Sequence, residues 1–198
     1  MKRLLLILIL TFCFQSWTNA DDISDFQIEG MSIGDSLLDF FSESEIKKNN
    51  NNYFTNNKYT SVNFNNISKT FEDIDVAFLS SDKNYIIKGI SGSIRYKSNF
   101  QDCEKDKNKF VNDINNLFKQ DLEKKLVEKF EGKKKHTAYP DGNSFMYYYA
   151  LRFVETGNFI AIACLDFSKK DTEIMIDHLR ADIYTDEYDY FLVHEAYK

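Results

Sequence analysis

His136, His178 and His194 are the side chains in this 198-residue chain best suited to moving protons or holding a metal. A transition-metal site needs several such ligands at short, regular spacing, and none of the three has a partner at helical or zinc-site distance along the chain. His136 follows the run Lys133–Lys135 and reads as exposed. His178 follows Asp177 at the start of an expected strand and reads as a hydrogen-bonded structural histidine. The chain carries no Gly-x-Ser-x-Gly elbow, no phosphate loop and no His-Glu-x-x-His pattern. Asp182, Asp186, Glu187 and Asp189 gather the oxygens that calcium would want, but the alternating spacing and central glycine of an EF-hand loop are missing. Capping of a C-terminal helix by Asp186, with Asp189 three residues on, explains two of the four without an ion. No catalytic residue, metal ligand or cofactor is assigned.

The aromatic run Phe145 to Tyr149 is the remaining candidate. On a strand, Phe145, Tyr147 and Tyr149 share one face, and Met146, Tyr148 and Ala150 the other. One face must be core. On the other, Tyr148 and Arg152 lie on the same side, and both residue types are favoured at protein contacts. Ordinary cross-strand pairing or a covering helix is the plainer alternative. The lysines 124, 125, 129 and 133–135 read as the solvated, dipole-compensating end of a helix rather than as an anion patch.

The positions of these residues depend on where the working chain begins. Lys2 and Arg3 precede an apolar run from Leu4 to Phe14, and Thr18 and Ala20 fit the small-residue exit of a secretory signal peptide, so cleavage is expected after Ala20. A bilayer span needs roughly 20 apolar residues, more than this run supplies. A lipoprotein start at Cys13 fits poorly because Phe12 precedes it. Residues 21–198 are then one domain in a periplasmic or extracellular, oxidising compartment. Removing residues 1–20 takes away two basic side chains and no acid, so the formal net charge falls from −6 to −8. That balance argues against nucleic acid, whose binding rests on neutralising phosphates, and against anionic membrane surfaces. It also leaves two cysteines, Cys103 and Cys164, and an even count in such a compartment implies a disulfide. Closing a loop of about 62 residues would stabilise the fold by roughly 4 kcal/mol.

Lysine, Asn, Ile, Phe and Tyr are abundant and Pro occurs once, the usage of AT-rich codons. The Asn-rich stretch from Asn49 to Asn57 therefore reads as a solvated loop. Gly30 to Asp35 opens a helix capped by Ser32, with Leu37, Leu38, Phe40 and Phe41 following and a short turn at Glu43–Lys48. Three strands come next, near Thr60–Phe64, Ile74–Phe78 and Tyr85–Tyr96, the last interrupted by Gly89 and Gly92 as if bulged. A long helix is expected from Cys103 to Glu131, ended by Gly132. Tyr139–Gly142 is a turn, a hairpin follows at Ser144–Val154 and Phe159–Phe167, and a sixth strand spans Leu179–Ile183. A helix from Asp186 to Tyr197 closes the chain. Runs of strands separated by helices predict an α+β fold, with an antiparallel sheet of about six strands, helices packed on one face and two halves similar in plan.

The segment Gly30-Met31-Ser32-Ile33-Gly34-Asp35, followed by a short helix and a meander over residues 29–96, resembles the small periplasmic domains of the SmpA/BamE and beta-lactamase-inhibitor-like type. The resemblance implies a non-enzymatic role in envelope assembly or protein binding and carries over no functional residue. Together these readings predict an exported periplasmic scaffold that binds another envelope protein. The alternative is a small-ligand carrier or enzyme with a pocket between the sheet and the long helix.

Overall fold

The computed structural model describes residues 23, 26–51, 53–96, 100–136, 143–168 and 176–198. The expected signal peptide with its cleavage point after Ala20, and the turn at Tyr139–Gly142, lie outside these residues.

Seven strands form one antiparallel sheet: β1 (Tyr59–Asn65), β2 (Asp73–Leu79), β3 (Ile87–Arg95), β4 (Val127–Lys135), β5 (Phe145–Phe153), β6 (Phe159–Asp166) and β7 (His178–Tyr184). Their order across the sheet is β1-β2-β3-β7-β6-β5-β4, so β7 closes the gap between two meanders. The class is α+β, with seven strands where the sequence suggests six. The first half of the chain supplies three strands and the second four, so equal halves are not seen among the described residues.

The extra strand comes from the expected long helix. Helix α2 (Phe100–Leu117) stops fourteen residues short of the expected end at Glu131, a short α3 (Lys119–Glu123) follows, and Lys125 turns the chain at φ 60°. Val127–Lys135 then pairs along its whole length with β5, Val127 opposite Phe153 and Lys135 opposite Phe145. The lysines of 129–135 are therefore edge-strand side chains, not a helix terminus. Charge on an edge strand discourages pairing with a second chain, which is the physical use of lysine there.

Alternation along each strand divides the sheet into two faces. Val62, Ile74, Val76, Ile90, Ile160, Ile162, Leu179, Ala181 and Ile183 point to the face covered by α2, where they pack with Ile114, Phe118 and Leu151 as the main core. The Cys103–Cys164 disulfide (Cα–Cα 6.0 Å) fastens the first turns of α2 to the middle of β6. At the N-terminal side, Gly30–Asp35 forms turns rather than a helix start; Gly30 and Gly34 take φ 80° and 93°. A single 3-10 turn, Leu37–Asp39, follows with Ser36 as its cap. Helix α1 (Glu43–Lys48) has a full capping box between Ser42 and Glu45.

The last helix, α4 (Asp186–His194), corrects a second expectation: helices pack on both faces. Tyr188 and Phe191 of α4 join Tyr59, Ala77 and Tyr184 in a cluster on the face opposite α2. Gly89 makes that possible, since a Cβ there would lie 2.4 Å from the Tyr188 ring. The cap of α4 is Thr185, whose side chain accepts from the Tyr188 amide; Asp186 and Asp189 have another task.

Candidate functional site

The second sheet face is polar where the α2 face is apolar. Cross-strand register lines its residues up in rows. Asn63, Asp75, Ser91 and Asp182 are successive partners across β1, β2, β3 and β7, and Asn65, Asp73, Ser93 and Arg180 form the next row. Arg95 stands opposite His178 beyond them. Helix α4 covers only one end of this surface. The result is a cup of about 420 Å³ whose floor includes Asp73, Asp75, Ser91, Ser93 and Arg180, walled by Tyr53, Phe54, Tyr188 and Tyr197 on one side and by Ile176 and His178 on the other.

The charges on the floor are already paired. Arg180 donates from Nε to Asp182 Oδ1 (2.7 Å) and from Nη2 to the Tyr184 hydroxyl. That hydroxyl donates to Asp182 Oδ1 at 3.0 Å, and Ser91 donates to the same oxygen at 2.6 Å. Burial pushes the Tyr184 phenol well above its ordinary range, so it remains a donor at neutral pH. Arg95 donates to Glu72 (3.0 Å) and to Asp73. Asp75 accepts from the Tyr53 hydroxyl at 2.5 Å and from Asn63 Nδ2 at 3.1 Å. Burial, then the Asp75 charge, raises the Tyr53 phenol.

His178 has one ring nitrogen, Nδ1, 2.9 Å from the Ile176 carbonyl oxygen, and its ring stacks on Phe167. Burial lowers its pKa, and Arg180 and Arg95 lower it further against the pull of the carbonyl and of Asp182. The imidazole bonds a backbone carbonyl rather than Ser91 or Ser93, so the Ser91 hydroxyl is held by Asp182 and not by a histidine. Among the described residues, Arg180 Nη1, His178 Nε2 and the Ser93 hydroxyl have no protein partner, and the second oxygens of Asp73 and Asp75 accept nothing from the protein. The cup therefore offers unspent donors beside unspent acceptors.

The residues singled out from sequence are distributed differently. Asp182 lies beneath the cup, bonded to Arg180 and Ser91 of its floor, while Asp186 and Asp189 hold Arg152 at 2.7 and 2.9 Å, so the acidic cluster divides between two tasks. Arg152 also donates to the Gly157 carbonyl at 2.9 Å. Its guanidinium thus fastens α4 to β5. Tyr148 shares its sheet face, is half-buried, and packs with Met146 against Ala163, Leu165 and Phe167. His136 lies tilted against Phe167, and His194 lies against Tyr190 at the end of α4. Among the described residues no group of three His, Cys, Asp or Glu is placed to hold a metal ion. No helix of the described residues is long and apolar enough to cross a membrane.

Tyr53, Phe54, Asp73, Asp75, Ser91, Ser93, Arg95 and Arg180 were not singled out by the sequence. Tyr53 and Phe54 sit inside the Asn-rich stretch read as a solvated loop. That stretch instead straps the outer side of β1, with the Asn51 amide on the Ser61 carbonyl (2.9 Å) and the Asn63 amide on the Asn49 carbonyl (3.0 Å), and buries Phe54 against Phe191. The usable signal was charge of both signs on one face of three alternating strands: Asp73 and Asp75, Ser91 to Arg95, and His178 to Asp182.

No known protein family matches this chain, and neither a curated protein nor a solved structure is similar enough to it to count as a match.

Proposed function

We propose that this protein is an exported binding module that takes a small polar molecule into the cup on the second sheet face. The observation that carries the reading is the convergence of side chains from four strands on one concavity, with the charges neutralised in advance and several hydrogen-bonding positions left over. Preorganised polar groups framed by aromatic walls are the usual construction of a small-molecule site, and about 420 Å³ lies within the size range of such sites. The arrangement favours binding over chemistry because the Ser91 hydroxyl is tied into the buried network of Asp182 and Tyr184, and the His178 ring bonds a backbone carbonyl instead of a serine. Export is supported by the charged, then apolar, then small-residue order of residues 1–20 and by the Cys103–Cys164 bridge.

A thermal-shift screen of polar metabolites tests the binding reading. A compound that raises the melting temperature of the native chain, and does so far less for Arg180→Met, supports it. Stabilisation that Arg180→Met leaves intact would move the site elsewhere. N-terminal sequencing of the protein recovered from its host tests export, and a mature chain starting at Met1 would remove that part.

A second reading, a scaffold contacting another envelope protein, is favoured by the outer edge of β4, which no strand pairs among the described residues. An open edge of nine residues can accept a partner's extended segment, and Lys129 and Lys133–Lys135 along it would turn away a basic edge and admit an acidic one. Affinity capture that depends on β4, and survives Arg180→Met, would favour this reading over the cup.

A further inference from the structure

We infer that the ligand of the cup is a neutral saccharide of one or two rings. The inference rests on the binding reading above and narrows its ligand class.

A hydroxyl group donates and accepts at once, so a polyhydroxylated ring is matched by a surface on which donors and acceptors alternate. The cup floor has that character: Ser93 lies directly across from both Asp73 and Arg180, and each of the three retains hydrogen-bonding capacity toward the cavity. Asp75 and His178 extend the pattern on either side.

Charge balance points the same way. The charged side chains that line the cup are Arg95 and Arg180 against Asp73 and Asp75, an even balance with the charges of both signs side by side. An oxyanion would meet Asp73 and Asp75, and a free cation would meet Arg95 and Arg180. A neutral ring is repelled by neither.

The rim supplies the other half of saccharide recognition, an aromatic surface for the apolar C–H face of the ring. Tyr53 and Tyr197 both border the cup and are 44% and 67% exposed, so each leaves ring surface that a ligand can cover. Tyr197 is placed by Phe54, at 6.1 Å between ring centres, and Tyr53 by its bond to Asp75.

Ligand-observed saturation-transfer NMR and thermal shift on the full mature chain test the inference. The probes are glucose, maltose and N-acetylglucosamine, with glycine and phenylalanine as zwitterions and citrate and inorganic phosphate as oxyanions. The expected result is saturation transfer to a neutral saccharide, strongest at ring C–H protons, with affinity falling about tenfold in Tyr197→Ala. Tyr197 is so exposed that its replacement leaves folding intact, and Ser93→Val gives an independent reduction from the floor. A response to the zwitterions or oxyanions alone would overturn the saccharide and leave the binding reading standing. Silence from every probe class would overturn both. Saccharide binding untouched by Tyr197→Ala and Ser93→Val would place it outside the cup and overturn the inference as well.

Discussion

Gly89 lies directly under the ring of Tyr188, so close that a Cβ on residue 89 would stand 2.4 Å from two of its ring carbons. Through that contact a strand residue sets how near α4 comes to the sheet, and α4 is one wall of the cup. Gly89→Ala is expected to push Tyr188 off its seat and to cost about 1–3 kcal/mol, the usual range for overpacking. Urea denaturation measures it. A double-mutant cycle with Tyr188→Ala should show strong coupling, because the clash disappears with the ring; additive losses would mean the contact does not set the position of α4.

The Cys103–Cys164 bridge joins α2 to the interior strand β6 across 61 residues of chain. Cys103→Ser is expected to lower stability by roughly 4 kcal/mol, chiefly by releasing the unfolded chain. Reduction of the native protein should give a similar loss, and the double variant Cys103→Ser with Cys164→Ser should be no worse than either single one. Equal melting temperatures for oxidised and reduced protein would show that the bridge contributes nothing.

Arg152 connects β5 to α4 through Asp186 and Asp189. The side chain is 36% exposed, so water screens both ion pairs and the expected cost of Arg152→Ala is only about 1 kcal/mol. The more informative readout is hydrogen exchange in α4, which should accelerate in this variant while β2 and β6 keep their protection. Unchanged exchange in α4 would make Arg152 a bystander and return it to the role of a contact residue.

Much of the architecture can be read from periodicity. The alternation of Leu179, Ala181 and Ile183 with Arg180, Asp182 and Tyr184 identifies β7 and even its two faces. The helix-to-strand change after Leu117 is a different matter. Leu122, Leu126 and Phe130 recur every four residues among helix-favouring Lys and Glu, so local preference extends the helix to Gly132. Pairing of β4 with the aromatic β5 overrides it, with Lys133 over Phe145 and Tyr147 and Lys134 over Tyr148. The cup was illegible for a related reason. Asp73, Asp75, Ser91 and Ser93 look in sequence like the solvent side of half-buried strands, and only the insertion of β7 between two meanders brings Arg180 and His178 beside them.

His178 makes the cup sensitive to pH even before any ligand is considered. Its folded pKa lies below the ordinary 6.5, first because burial disfavours the charged ring and then because Arg180 and Arg95 repel it, while the Ile176 carbonyl and Asp182 offset part of this. The unfolded chain therefore takes up the proton first as pH falls. Stability contributed by the neutral ring is complete above the unfolded value and drains away as pH falls through the ordinary 6.5 and below it, levelling off once the folded ring is also protonated. Chemical denaturation across that window should show a downward slope that His178→Gln reduces, since glutamine can still hydrogen-bond but carries no titrating proton. Parallel pH profiles for the two proteins would mean that the imidazole titrates alike in both states, and that the cationic side of the cup exerts no field on it.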